Sequence, residues 1–144
     1  MIETGRTKGL ARDARGVAAL EFAIVAPLLI TFLGGILIYG IYFATLHNLQ
    51  QLVAEAGRAT IAGLDDPERE RLARRQIDAT IGDYPLLKRA HMQVTARTDP
   101  TSPERYVVSI AYDATHLGLS AFGSLLPQPP EHIERTAIIR KGGA

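Results

Sequence analysis

Cysteine and tryptophan are absent from this chain of 144 residues, and aromatic residues make up only 6% of it. The lack of cysteine excludes disulfide frameworks, thiolate zinc sites and cysteine nucleophiles, and it leaves the redox compartment open. An excess of either charge is also missing, because 16 Lys and Arg residues face 15 Asp and Glu residues. A protein that binds nucleic acid normally concentrates basic residues on one face, so we expect no nucleic-acid partner.

Recognisable catalytic patterns are lacking as well. The histidines form no HExxH-type zinc pair, and no serine lies in a nucleophile-elbow sequence. The glycine pairs at 34–35 and 142–143 do not join a strand to a basic helix start, as a phosphate loop would. Helix capping explains Asp65 and Asp66 better than a catalytic carboxylate pair does. We therefore expect no enzyme activity, no catalytic residue, no metal site and no cofactor.

The dominant feature of the sequence is an uncharged apolar run of 25 residues at 22–46. A helix of that length rises about 37 Å, enough to cross a hydrocarbon core of about 30 Å with some tilt. The helices of soluble domains rarely stay apolar on every face over such a length. A cleaved secretory signal has a shorter apolar region, of about 7–15 residues, and a small-residue site soon after it. The run therefore predicts a retained anchor in contact with membrane lipid.

The flanks of the run predict its orientation. Four basic residues precede it: Arg6, Lys8, Arg12 and Arg15. The first basic residue behind it is Arg58, a dozen positions on. Because basic residues favour the cytoplasmic side, we expect a single-pass protein of the cytoplasmic (inner) membrane with its N-terminus inside. Residues 47–144 would then form the exported domain.

The apolar spacing around and beyond the run predicts one long helix from Gly16 to Ala62, half in lipid and half outside. Pro27 lies inside this helix and removes the backbone hydrogen bond to the carbonyl of Ala23, which permits a kink. A second helix is expected to start at Asp66 as its cap and to end at Gly82.

After residue 90 the hydrophobic period changes from helix to strand. Residues 91–97 and 105–112 predict an antiparallel hairpin, and residues 131–140 predict a third strand. Between them, residues 114–130 form an irregular apolar stretch that we expect to pack over the sheet as a short helical turn. The fold class is therefore α+β, with a long N-terminal helix, a second helix and a small antiparallel sheet of about three strands.

A carboxylate stands at the edge of the apolar run. Glu21 follows a basic leader, lies five residues after Gly16 and directly precedes Phe22. A charged side chain costs about 2.5–3.5 kcal/mol at the centre of a membrane helix and less near its edge, so it usually has a partner or a role. Taken alone, Glu21 is equally well explained without a function, as a carboxylate that lies at headgroup depth and is favoured by the positive start of its helix. The combination with the leader, the glycine and the aromatic residue indicates a function.

This arrangement resembles a type IV prepilin processing site. The segment RGVAALEFAIVAPLLI resembles, more narrowly, the TadE/TadG-like minor pilins (pseudopilins) of tight-adherence (Flp-type) pili, and Pro27 and AEAGRA around Arg58 fit the same family. The resemblance implies that a prepilin peptidase cuts between Gly16 and Val17 and that Glu21, next to Phe22, helps the subunit dock into a filament. It also implies other pilins and minor pilins and an inner-membrane assembly platform as partners, with adhesion and biofilm formation as the setting.

The resemblance divides the chain into a leader at 1–16, a transmembrane and assembly helix at 17–46 and an exported α+β domain at 47–144. The length beyond the span favours a minor pilin over the short bulk subunit of the filament. Ile38 departs from the family pattern, since many relatives carry an acidic residue at that place. The alternative function is an uncleaved, single-pass adaptor or sensor with an exported binding domain, which would keep its first 16 residues.

Overall fold

A computed structural model describes the backbone of residues 7–141 and the side chains of residues 16–141 other than Ser124. Helix α1 spans Thr7–Ala59 and passes into a 3-10 turn at Thr60–Ala62, and helix α2 spans Asp66–Thr80. Strands β1 (Met92–Asp99), β2 (Ser102–Asp113) and β3 (His132–Arg140) follow. The predicted α+β layout of a long helix, a second helix and a three-stranded sheet is confirmed.

The three strands form one antiparallel sheet in the order β1-β2-β3. Tyr112 of β2 lies opposite Met92 of β1 and Ile133 of β3. Because side chains alternate along a strand, every second residue of β2 faces the helices. Tyr106, Val108, Ile110 and Tyr112 are at most 1% exposed. The central strand therefore forms the side of the core that faces the helices.

The second half of α1 and one face of α2 pack on this buried face of the sheet. The fully buried apolar residues of the helices are Leu49, Leu52, Val53 and Ala56 from α1 and Ala73 and Ile77 from α2. Gly57 of α1 lets β3 approach closely, since a Cβ added there would lie 3.1 Å from Ala137 Cβ and 3.1 Å from Ile139 Cδ1. The second half of the long helix is thus an integral part of the folded domain.

Helix α1 starts earlier than its apolar pattern predicts, at Thr7 and not near Gly16. Residues 10–15 are mostly good helix formers, so the helix extends into the basic leader although these residues show no apolar periodicity. At its other end, α1 closes through the 3-10 turn Thr60–Ala62, where the Thr60 hydroxyl donates to the carbonyl of Gly57 at 2.7 Å.

The predicted cap of α2 is wrong by one residue. Asp65 has the extended backbone of an N-cap, and its carboxylate accepts a hydrogen bond from the Glu68 amide at 2.7 Å. A capping carboxylate reaches the third helical amide, which from Asp65 is that of Glu68. Asp66 is instead the first helical residue, where hydrogen bonds from Thr98 and Lys141 hold the pKa of its carboxyl below the usual 3.8.

The irregular segment between β2 and β3 contains 3-10 turns at Thr115–Leu117 and Gly123–Leu125. Leu119 is buried in the domain core, but Phe122 lies against Gly34 of α1. The segment therefore does not simply cover the sheet, because its tip reaches the helix inside the apolar run.

Candidate functional site

The candidate site is the N-terminal half of α1. In the part of the chain that the structure describes, Gly16–Ala62 is the one helix long and apolar enough to cross a membrane. This finding is consistent with single-pass membrane anchoring. The leader residues 1–6, which belong to the predicted peptidase substrate, lie outside the described residues.

The first turns of this helix after Gly16 are largely exposed in the part of the protein that the structure describes. Every large hydrophobic residue between positions 17 and 33 is more than half exposed, on all sides of the helix. Phe22 is 72% exposed, Leu28 68% and Phe32 65%. A helix that is apolar all round needs lipid or other apolar helices as its surroundings. Residues 17–33, the free helix segment, therefore present an apolar surface that the other described residues do not cover.

The predicted cleavage and assembly residues lie at or directly before the start of the free helix segment. Gly16, Val17, Glu21 and Phe22 are exposed, and a Cβ added at Gly16 would meet nothing within 4 Å. Val17 and Glu21 are four residues apart, which places them one above the other on one helix face. Glu21 carries the only charge in the sequence between Arg15 and Glu55. The bond after Gly16 lies inside a continuous helix.

Pro27 is accommodated without ending the helix. Its ring removes one backbone donor, so the carbonyl of Ala23 has no amide partner within the helix. One turn later, the Thr31 hydroxyl donates to the Pro27 carbonyl at 2.8 Å. The predicted kink at this position stays a prediction.

The second half of the apolar run has a different environment. Phe122 covers Gly34, where an added Cβ would overlap the phenyl ring. The Tyr39 hydroxyl donates to the carbonyl of Pro127 at 2.9 Å. Ile38 is only 6% exposed and belongs to the apolar core. An acidic residue at position 38 would be buried there among apolar side chains, so the packing of this chain favours an apolar residue at this position.

A second candidate is a cavity of about 360 Å³ at one end of the sheet, lined by residues that include His91, Asp113 and His132. The rings of His91 and His116 stack at 4.2 Å between centroids, and the Tyr112 hydroxyl lies 3.2 Å from His116 Nε2. Burial, and then the charge of His91, lower the pKa of His116 from its usual 6.5. Among the described residues no group of three or more His, Asp or Glu side chains could hold a metal ion.

The sequence pattern, in which the four histidines are far apart along the chain, does not predict this pairing. His91 directly precedes β1, and His116 lies four residues after Tyr112, which is the partner of Met92 in the hairpin. The register of the hairpin was the signal that could have brought the two histidines together.

Comparison with known proteins bears on the first candidate. The family model described as TadE-like protein matches residues 16–58. The match begins at Gly16, includes Glu21 and Phe22, and ends close to the last residue of α1. No curated protein and no solved structure matches the chain. Residues 16–58 are therefore similar to TadE-like proteins, which confirms the predicted resemblance to the TadE/TadG-like family over this part of the chain.

Proposed function

We propose that this protein is a minor pilin (pseudopilin) that a prepilin peptidase cleaves between Gly16 and Val17 and that takes part in assembly of a tight-adherence pilus. The free helix segment carries the proposal, because it is apolar on every side and holds one carboxylate near its start. Such a helix can lie in lipid before assembly and pack against the helices of other subunits afterwards.

The surroundings of Gly16 suit cleavage. A peptidase needs access to an extended backbone, and glycine weakens a helix by about 1 kcal/mol relative to alanine. The space beside Gly16 is open. Local opening of the helix at this residue therefore costs less than at its neighbours, and nothing in the described protein blocks the bond.

Cleavage would leave a positively charged amine on Val17, one turn before Glu21. These two residues are separated by about 6 Å along the helix axis. In two parallel helices offset by about that distance, the amine of one subunit lies beside the carboxylate of its neighbour. Pairing of buried charges specifies register more reliably than it adds net stability. Glu21 would thus set the axial position of an incoming subunit.

The proposed partners follow from these steps. They are the prepilin peptidase, other pilins and minor pilins, the inner-membrane assembly platform and membrane lipid. The N-terminus would face the cytoplasm, and the folded domain would lie outside the cytoplasm. The protein as a whole would be held in the inner membrane before assembly and in the filament afterwards. A reporter fused after Ala144 should accordingly work only if it is active outside the cytoplasm, and activity of a cytoplasm-only reporter would reverse this placement.

Intact mass of the protein extracted from its native membrane tests the processing step. The mature chain should consist of residues 17–144, and Gly16→Leu should retain the leader. Gly40→Leu is the matched control, since Gly40 is another helical glycine with open space around it, and this variant should be cleaved normally. An uncleaved N-terminus on the filament-associated form would refute the proposal and favour the membrane-anchored adaptor.

Substitution of Glu21 by Gln tests the docking role, because it removes the charge and keeps the shape. The variant should be cleaved and inserted, yet it should fail to co-purify with partner pilins, and surface pili should decrease. Glu104→Gln makes the same change at an exposed position in β2 and should leave piliation unchanged. Normal piliation and normal co-purification of the Glu21 variant would show that this carboxylate has no part in assembly.

A further inference from the structure

The segment between β2 and β3 has an unusual composition for an exported loop. No Asp, Glu, Lys or Arg occurs in residues 117–130, and the nearest charged residues are Asp113 and Glu131. Long loops on a water-facing domain normally carry polar and charged residues, because their backbone and side chains are hydrated. We call residues 117–130 the apolar loop.

The apolar loop is held against the membrane helix and not only against its own domain. Leu119 anchors it in the domain core at 2% exposure. Beyond this anchor, Phe122 lies on Gly34, and the Tyr39 hydroxyl donates to the carbonyl of Pro127 at 2.9 Å. The tip of the loop therefore sits at the level of residues 34–39 of α1.

This level lies within the thickness of a bilayer. The hydrocarbon layer cannot begin before residue 16, because Arg12, Asp13 and Arg15 are charged. A layer of about 30 Å takes about 20 helical residues, so it extends at least to residue 36. A layer that begins at Phe22 extends to about residue 41, and any tilt moves the boundary further along the helix. Gly34 lies inside the layer in each case.

The exposed side chains near this level suit lipid. Leu125 at the loop tip is 71% exposed, and Leu37 and Phe43 of α1 are 62% and 59% exposed. Tyr39 and Tyr42 lie between them, and tyrosines are typical of the boundary between membrane and water. The loop thus continues the apolar surface of the free helix segment without a charged interruption.

The backbone of the apolar loop suits the boundary of the bilayer and not its centre. Five of its N–H groups donate to nearby carbonyls, those of Leu117, Gly118, Ala121, Gly123 and Leu125. Pro127, Pro129 and Pro130 have no N–H group. Any amide of the loop without such a partner needs water or a lipid headgroup, because unpaired backbone groups are not tolerated in hydrocarbon.

We infer that the apolar loop rests in the outer leaflet, at the boundary between headgroups and acyl chains, with Leu125 facing lipid. The exported domain then has two membrane contacts, the helix and the loop, and its height above the membrane is set by both. The inference rests on membrane anchoring of α1 and on the proposed orientation, and it is independent of cleavage and of pilus assembly.

The absence of native tryptophan makes a direct test possible, because one introduced Trp reports on one site. Leu125→Trp is reconstituted as the full chain in vesicles of phosphatidylethanolamine and phosphatidylglycerol, with and without brominated acyl chains. Phe32→Trp marks the free helix segment, and Leu64→Trp, at a residue that is 90% exposed, marks a water-facing turn. Emission is measured with brominated lipid and with aqueous iodide, and circular dichroism checks that each variant is folded.

The Leu125 variant should lose emission in brominated vesicles to an extent near that of the Phe32 variant, and iodide should quench it far less than the Leu64 variant. Quenching by iodide but not by brominated lipid would place the loop in water and overturn the inference. Protection from both quenchers, lost when the protein is diluted in lipid, would assign the surface to a second copy and overturn it as well.

Discussion

Gly57 is the position at which the packing of α1 against the sheet is most sensitive to added volume. A Cβ at Gly57 would lie 3.1 Å from Ala137 Cβ and 3.1 Å from Ile139 Cδ1, which is shorter than ordinary contact by a few tenths of an ångström. Alanine would also favour the helix by up to about 1 kcal/mol relative to glycine. The two effects oppose each other, so Gly57→Ala should change the free energy of unfolding by less than about 1 kcal/mol.

Valine at the same position adds two further methyl groups to a site without room for them. It should push β3 away from α1 and lower the free energy of unfolding by about 2–3 kcal/mol, the usual range for overpacking. For a domain of this size the melting temperature should then fall by roughly 10 °C. The assay is thermal unfolding of the full chain in detergent micelles, followed by circular dichroism.

Gly40 provides the matched control, because it lies in the same helix and an added Cβ there meets nothing within 4 Å. Gly40→Val should melt within about 2 °C of the unmodified protein, since surface substitutions usually change stability by less than about 0.5 kcal/mol. If Gly57→Val were as stable as Gly40→Val, β3 would not pack on α1 at this glycine, and the described arrangement of helix and sheet would be wrong.

Three further predictions concern the folded domain formed by the second half of α1, α2 and the sheet. Leu52→Ala should lower the free energy of unfolding by about 2–5 kcal/mol, because Leu52 is fully buried. Leu64→Ala, at an exposed leucine, should lower it by less than about 0.5 kcal/mol. Urea unfolding of the two variants measures both values. Tyr106→Phe removes a hydrogen bond of 3.2 Å to the Asp66 carbonyl and should cost about 0.5–1.5 kcal/mol in the same assay. The lowered pKa of His116 means that the unfolded chain binds its proton more tightly, so stability should fall as the pH drops below 6.5. His116→Gln should reduce that fall, as measured by urea midpoints at several pH values.

The elements with strong local patterns could be predicted from the sequence. The alternation in β2 identifies one buried face, from Tyr106 to Tyr112, and the uncharged run identifies the membrane-length helix. The residues of the candidate assembly site, Gly16 and Glu21, were found in the same way, because their spacing along one helix is a local property. Their roles in cleavage and docking stay predictions.

The features that escaped prediction depend on contacts between distant parts of the chain. The N-cap of α2 is Asp65 and not the predicted Asp66, because either of two neighbouring aspartates can cap a helix by its residue type. The ion pair of 2.9 Å between Lys141 and Asp66, which gives Asp66 a different partner, joins distant parts of the chain. The stacking of His91 on His116 requires the register of the hairpin. The approach of Phe122 to Gly34 joins residues 88 positions apart, and no periodicity reports such a contact.

The continuity of α1 has a mechanical consequence. From Pro27 to Ala59 the helix runs for about 50 Å without a break, and its second half forms part of the folded core. No flexible linker separates the anchor from the domain, so a pull or a twist applied at the membrane end is transmitted to the sheet as a movement of one stiff rod. A force applied at the start of this helix would therefore move and rotate the whole folded domain together with it.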